Sequence, residues 1–274
     1  MNSSSSNPVF SGSVPQFYQR YVVPVIFEPY AADLVGRAVL LAPTSVLEIA
    51  AGTGVLTRHL ADRLPSTTSI VATDLNPAML EQAQHVGTSR AVTWRQADAM
   101  QLPFAADSFD AVMCQFGYMF PSDRVAAYAE ARRVLRPGGT LLFNVWGRME
   151  DNDFANIVTE SLAQLFPTDP PRFLARIPHG YHDRAAISSD LVLAGFGGVN
   201  TVDTVTLPSR ADSARDAAIG FCQGTPLRAE IEARGENLLE RATDIATAAL
   251  AQRFGAGPVT ANMQAHVVGA PKVD

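Results

Sequence analysis

The stretch "VLEIAAGTGVLTRHL", residues 46–60, decides how the chain is read. A short apolar run meets two glycines, Gly52 and Gly54, and then a helical pattern begins. This is a buried strand entering a tight strand-to-helix turn, because glycine permits the turn and leaves no side chain between it and a ligand. The first helical turn then offers free N–H groups. Glu48 is the anomaly, a carboxylate in a buried-strand pattern. It suits a ligand carrying an ammonium or sulfonium and sits poorly beside a pyrophosphate. A counter-charge to the start of the following helix is the alternative that needs no ligand. Where a dinucleotide motif carries its third glycine, this chain has Thr57, which counts against a nicotinamide-dependent oxidoreductase.

Working outward, strands alternate with helices. "SVLEI" (45–49), "SIVATD" (69–74), "AVTWRQAD" (91–98), "FDAVMCQF" (109–116) and "TLLFNVW" (140–146) read as five strands. Helices are expected over 14–40, interrupted by Pro15, Pro24 and Pro29, then over 54–64, 77–87 and 122–135, the last with Ser122 as N-cap. "RPGG" (136–139) reads as a turn. Such alternation implies right-handed crossovers and a parallel sheet. After Trp146 the rhythm changes. Helices are expected at 152–166, near 184–194 and over an Ala-rich 211–254 broken at "CQGTPLR", with strands at 199–207 and 263–270.

Two further carboxylates end strands. Asp74 lies twenty residues after Gly54, where an acidic side chain accepts hydrogen bonds from ribose hydroxyls; capping the next helix is its alternative. Asp98 ends the third strand and suits the exocyclic amine of an adenine, or else caps its own loop. Three acidic residues at three successive strand ends beside one glycine turn are far more specific together than any one alone.

Composition bounds the rest. The 274 residues are 47% hydrophobic with a net charge of −6, a pI near 5.4 and a mean hydropathy of +0.06. That suffices for a sizeable core. The acidic, evenly mixed charge argues against nucleic acid as a partner, since that affinity rests on clustered cations. No apolar run reaches the roughly 18–20 residues of a membrane span. The two cysteines, Cys114 and Cys222, form no C-x-x-C pair, so neither a disulfide framework nor a metal site is expected. The expectation is a cytoplasmic protein with a disordered start at 1–13 and a single domain over 14–274.

"VLEIAAGTG", "VATDLNPAML", "WRQADAMQLPF", "SFDAVMCQFG" and "RRVLRPGGTLLFNVWG" resemble, in order, the motifs of class I S-adenosylmethionine-dependent methyltransferases, most closely the branch with the ubiquinone and menaquinone biosynthesis C-methyltransferases. The resemblance is strong over about 45–147 and thins afterwards. It implies an α/β, doubly wound seven-stranded sheet of order 3-2-1-4-5-7-6 with strand 7 antiparallel. It implies S-adenosyl-L-methionine as cofactor: Ala50, Gly52 and Gly54 along the methionine part, Asp74 on the ribose, Leu75 and Met79 against the adenine, Asp98 and Ala99 at its edge, and Cys114 and Gln115 facing the amino-acid end. Glu48 then orients the glycine loop or meets the ammonium.

The acceptor side is read from position. Phe116 and Trp146 fall at strand ends and suit the wall of an apolar or aromatic small-molecule pocket, or the core. Tyr21 belongs to a segment suited to folding over the cofactor. Insertions at about 152–185 and 208–257 are expected to form a lid, with Tyr181, Phe221 and Gln223 facing inward; a surface bundle for homodimerisation is the alternative. His179 and His182 are the candidate general bases, against a reading in which His182–Asp183 cap a helix. A non-catalytic cofactor-binding module is the remaining functional alternative.

Overall fold

The computed structural model describes residues 12, 14–197 and 200–273. The start expected to be disordered, 1–13, lies outside the described residues apart from Gly12. In chain order the elements are α1 (Val14–Phe17), a π-helical segment (Tyr18–Phe27), α2 (Glu28–Leu41), β1 (Ser45–Glu48), α3 (Val55–Arg63), β2 (Ser69–Asp74), α4 (Pro77–Val86), β3 (Thr93–Gln96), β4 (Phe109–Gln115), α5 (Arg124–Val134), β5 (Leu135–Trp146), α6 (Asp153–Leu165), α7 (Phe173–Arg176), α8 (Arg184–Leu193), β6 (Thr201–Ala211), α9 (Ala214–Gln223), α10 (Leu227–Glu232), α11 (Leu238–Phe254) and β7 (Val259–Pro271). Single 3₁₀ turns sit at Met149–Asp151 and Pro178–Gly180.

The sheet order is β3-β2-β1-β4-β5-β7-β6. Strands β1 to β5 pair in parallel and β7 runs antiparallel to β5, as the family resemblance implies. The chain forms two compact units. One is built from residues 30–146, 181–205 and 265–274, the other from residues 1–29, 147–180 and 206–264.

In the first unit β1 is buried at all four positions and β4 at all but Asp110, so the central strands are apolar on both faces. Helices α3 and α4 pack on β2, α5 on β5, and α8 on α5. Several boundaries differ from expectation. The third strand is shorter, Thr93–Gln96. The fifth is longer, because "RPGG" bulges within it: Phe109 pairs with Leu135, but Ala111 already pairs with Thr140, and Gly138 takes φ +78°. Asp123, not Ser122, caps α5 by accepting from Ala126 N at 2.9 Å.

In the second unit α9 packs on α11 and on the π-helical segment, and α6 packs on α11. Close approach rests on small residues. A Cβ at Gly220 would lie 2.7 Å from the Tyr21 carbonyl oxygen, and one at Gly224 would lie 2.7 Å from Val22. The prolines expected to interrupt residues 14–40 do not stop the helix. Pro24 has no N–H, and the chain there widens to π spacing, with Glu28 N bonding Val23 O. The Ala-rich segment breaks twice, around 224–226 and again at 233–237, where Asn237 takes φ +57°.

Candidate active site

The turn after β1 runs through three left-handed residues, Ala50 at φ +55°, Gly52 at +57° and Gly54 at +81°. Ala51 N bonds Thr73 O at 2.8 Å, so the turn is stitched to β2. Gly54 has a packing reason as well as a backbone one: a Cβ there would meet Trp94 Cη2 at 2.9 Å and Ala83 Cβ at 3.2 Å. Glu48 ends β1 with 1% of its surface exposed. The Thr57 hydroxyl lies 2.6 Å from its Oε2, so the residue standing in the third-glycine position ties the buried carboxyl to the first turn of α3. Burial pushes Glu48 up to about 8; the Thr57 bond and the Arg58 charge oppose this, and the Asp74 charge adds to it. The sequence anomaly is thereby resolved. At neutral pH Glu48 is mostly a neutral acid, and a cationic ligand would favour its ionised form.

Asp74 holds the turn from the other side. Its Oδ2 accepts from Gly52 N at 2.8 Å and its Oδ1 from Asn76 N at 2.8 Å. Burial raises its pKa, while the backbone N–H groups of Asn76, Gly52 and Leu75 lower it. The capping alternative for Asp74 does not hold, since α4 is capped by Asn76, whose side chain accepts from Ala78 N at 2.9 Å. With about four lone-pair sites on a carboxylate, Asp74 keeps some acceptor capacity beyond these backbone bonds. Leu75 beside it is 40% exposed, whereas Met79 is buried. Asp98 lies two residues beyond β3. Its Oδ1 accepts from Met100 N at 2.9 Å, and Ala97 N bonds Asp74 O at 3.1 Å. Ala99 is half-buried in the same loop.

At the ends of β4 and β5 the side chains turn aromatic. Phe116 takes φ +51° and its N–H donates to Asn144 Oδ1 at 2.9 Å. Its ring stacks on Trp146 with centroids 3.7 Å apart. Tyr30 of α2 meets both edge-on, at 5.3 and 5.6 Å, and its hydroxyl donates to Val205 O at 2.9 Å. Sequence reasoning missed Tyr30; its only signal was an aromatic on the apolar stripe of a helix. Cys114 is fully buried, and a Cβ on Gly117 would lie 2.4 Å from its Sγ. Burial pushes its thiol well up, which makes it a packing residue. Gln115 is 8% exposed.

The remaining candidates have other surroundings. Tyr181 is buried; its hydroxyl donates to Asp190 at 2.7 Å, the Tyr128 hydroxyl lies 3.5 Å away, and the Arg124 guanidinium covers its ring at 4.3 Å. His182 is half-buried, and Asp183 caps α8 by accepting from Ala185 N. In the second unit, His179 is buried with Nδ1 2.9 Å from the Gly147 carbonyl oxygen. A carbonyl only accepts, so Nδ1 carries a hydrogen. Tyr21 stacks on Phe17 at 5.9 Å, under Arg20. Phe221 is 5% exposed, and Gln223 Nε2 donates to Thr243 Oγ1 at 3.0 Å. So Glu48, Ala50, Gly52, Gly54, Asp74, Asp98, Ala99, Cys114, Gln115, Phe116 and Trp146 gather at successive strand ends of one unit. Tyr21, His179, Phe221 and Gln223 belong to the other.

Residues 46–139 match the family model described as a methyltransferase domain. The demethylmenaquinone methyltransferase of Mycolicibacterium paratuberculosis is 35% identical over 163 residues, 56% of this chain and 68% of that protein. The ubiquinone/menaquinone biosynthesis C-methyltransferase of Pseudomonas aeruginosa is 28% identical over 203 residues, 69% and 75% of the two chains. This chain belongs to the class I S-adenosylmethionine-dependent methyltransferases. A Bacillus halodurans structure provisionally assigned as a methyltransferase shares the methyltransferase fold, with a TM-score of 0.57 at 20% identity over 89% of this chain and 99% of that one.

A class I methyltransferase uses S-adenosyl-L-methionine, and the strand ends of this one fit it. A buried carboxyl group, Glu48, and a half-buried one, Asp74, flank a turn whose backbone is left-handed at Ala50, Gly52 and Gly54. Thr53 Oγ1 in that turn and the Tyr118 hydroxyl after β4 are buried without a hydrogen-bond partner, as polar atoms awaiting a ligand or water are. Among the described residues no cluster of three metal-ligating side chains occurs, and no helix is long and apolar enough to cross a membrane.

Proposed function

We propose that this methyltransferase modifies a small apolar or aromatic molecule. The observation that carries this reading is the aromatic trio of Tyr30, Phe116 and Trp146 at the ends of β4 and β5, where ligands bind in such sheets. The two relatives, a ubiquinone/menaquinone biosynthesis C-methyltransferase and a demethylmenaquinone methyltransferase, support an acceptor of that kind. Bound S-adenosylmethionine supplies an electrophilic methyl group on a sulfonium. The chain's own contribution is positioning and exclusion of water. In this reading Asp74 accepts from the ribose hydroxyls through the acceptor capacity left by its backbone bonds. Asp98 and Ala99 meet the adenine edge, with Leu75 and Met79 on its faces. The backbone of the glycine turn and of Cys114–Gln115 runs along the amino-acid part, with Glu48 as the acidic partner of the ammonium. The helical segments 152–185 and 208–257, with Tyr21, Phe221 and Gln223, are assigned acceptor selection; Tyr181, expected among them, is instead taken up by Asp190 and Tyr128. His179 and His182 are the candidate bases should the acceptor lose a proton.

The test is transfer of a labelled methyl group to a panel of acceptors. The account expects turnover with phenolic or quinol-like molecules and none with amino acids, polyamines or oligonucleotides. Turnover confined to the charged acceptors would overturn it. Deleting 211–254 from a chain that still folds is expected to abolish transfer while S-adenosylhomocysteine still binds.

A further inference from the structure

The loop after β3 is fastened from an unexpected side. Residues 98–104 carry Asp98, and within the loop Met100 N bonds Asp98 Oδ1 while Gln101 N bonds Asp98 O at 3.0 Å. The far end is held by the last turn of α5. Arg133 Nη1 donates to Phe104 O at 2.8 Å, and Nη2 to Leu102 O at 2.9 Å. The same guanidinium grips Glu130 bidentately, Nε to Oε1 at 2.7 Å and Nη2 to Oε2 at 2.8 Å. Glu130 Oε2 in turn accepts from Leu102 N at 2.8 Å. The peptide groups of Leu102 and Phe104 are thus clamped by one planar fork and its carboxylate partner. Phe104 is packed further, edge-on to Phe109 at 5.2 Å and under the Arg95 guanidinium at 5.1 Å.

We infer that Arg133 and Glu130 are positioning residues that set how well the site selects the cofactor's base, by fixing the loop that carries Asp98. The inference rests on the reading of Asp98 as the acceptor for the adenine amine. The physical argument is geometric. A single carboxylate distinguishes an amine from a carbonyl only if it is held in line with it, and Asp98 spends one oxygen on its own loop. Its remaining reach is set by where that loop is anchored, and the anchor is the pair of hydrogen bonds from Arg133 to the Leu102 and Phe104 carbonyls. Lysine has a charge but no fork and cannot reproduce it. Neither residue touches the cofactor in this account. Their influence passes through the backbone of 98–104.

The experiment compares the dissociation constants of S-adenosylhomocysteine and S-inosylhomocysteine, whose base carries a carbonyl in place of the amine. It uses the parent chain, Asp98→Ala, Arg133→Lys and Glu130→Gln, each checked by thermal melting. The parent is expected to prefer the adenosyl ligand by on the order of a hundredfold. Asp98→Ala should remove most of that preference. Arg133→Lys should narrow it to about tenfold, the scale on which a small misplacement of a binding group acts. Glu130→Gln, which keeps an acceptor for Leu102 N, should narrow it less. A structural role alone would lower the melting temperature and leave the preference unchanged. Parent-like selectivity in folded Arg133→Lys, with selectivity lost in Asp98→Ala, overturns the inference and leaves the adenine reading standing. Parent-like selectivity in Asp98→Ala overturns the adenine reading itself. Failure of both Arg133→Lys and Glu130→Gln to fold would make the clamp a folding element and overturns the inference too.

Discussion

The glycine turn and the Tyr181 cluster both bury polar groups, and they do so in different ways. At the turn, Glu48 and Asp74 are held by a nearby hydroxyl and by backbone N–H groups a few residues from a glycine, and Asp74 retains acceptor capacity. Around Tyr181, the hydroxyls of Tyr181 and Tyr128, the Asp190 carboxylate and the Arg124 guanidinium answer one another across α5 and α8. The first arrangement costs stability at neutral pH and leaves acceptors for a ligand. The second spends its hydroxyls and its carboxylate on one another and stabilises packing. A buried polar cluster therefore marks a ligand site when its groups are tied to backbone and still have unused capacity, not merely when it is buried.

The sharpest way to separate the two regions is pH. Glu48 is raised from 4.5 to about 8 in the folded chain, so the folded state holds a proton there that the unfolded state releases. Its contribution to stability is full below about pH 4.5 and is lost as pH rises through about 8. Between those limits stability should fall by up to about 1.4 kcal/mol per pH unit. Denaturant unfolding across that range checks it. Glu48→Gln should flatten the decline; the same slope in parent and variant would place the proton elsewhere.

Asp74→Ala comes next in size. Loss of the Gly52 anchor and of the ribose acceptor should weaken S-adenosylhomocysteine binding by about 1.5–3 kcal/mol, read by calorimetry. Unchanged affinity would reduce Asp74 to a structural tie. Gly54→Ala should lower stability by about 2 kcal/mol, because a Cβ there combines a left-handed backbone with a collision against Trp94. A parent-like melting temperature would contradict that geometry. Tyr181→Phe should cost about 1 kcal/mol of stability through the lost bond to Asp190 and leave cofactor affinity alone. A loss of affinity there would erase the contrast between the regions. Smallest is Ala50→Gly, expected to stabilise the chain by about 0.5 kcal/mol by relieving φ +55°; a destabilised variant would show that the turn is not strained.

Much of the first region was legible because its information is local. Glycines at a turn, a carboxylate twenty residues on and alternating apolar runs are short-range patterns that elementary geometry converts into strand ends. The sheet order followed from resemblance and was met in full. What escaped depends on partners distant in sequence or on choices between neighbours. Thr57 counted only as a missing glycine until its hydroxyl met Glu48. Asp123 took the cap expected of Ser122, and Asn76 the one that was the alternative reading of Asp74, since neighbouring small polar residues cap about equally well. Tyr30 joined Phe116 and Trp146 through tertiary packing. The prolines at 15, 24 and 29 read as breaks, yet a switch to π spacing lets the helix continue past Pro24.

The central claim, that the strand ends around the glycine turn bind S-adenosylmethionine, is tested most directly by calorimetric titration of the folded parent chain with S-adenosylmethionine and S-adenosylhomocysteine. The account predicts saturable one-to-one binding of both, with each ligand displacing the other. Absence of heat and of any thermal shift with either ligand, on protein that melts cooperatively, would contradict it.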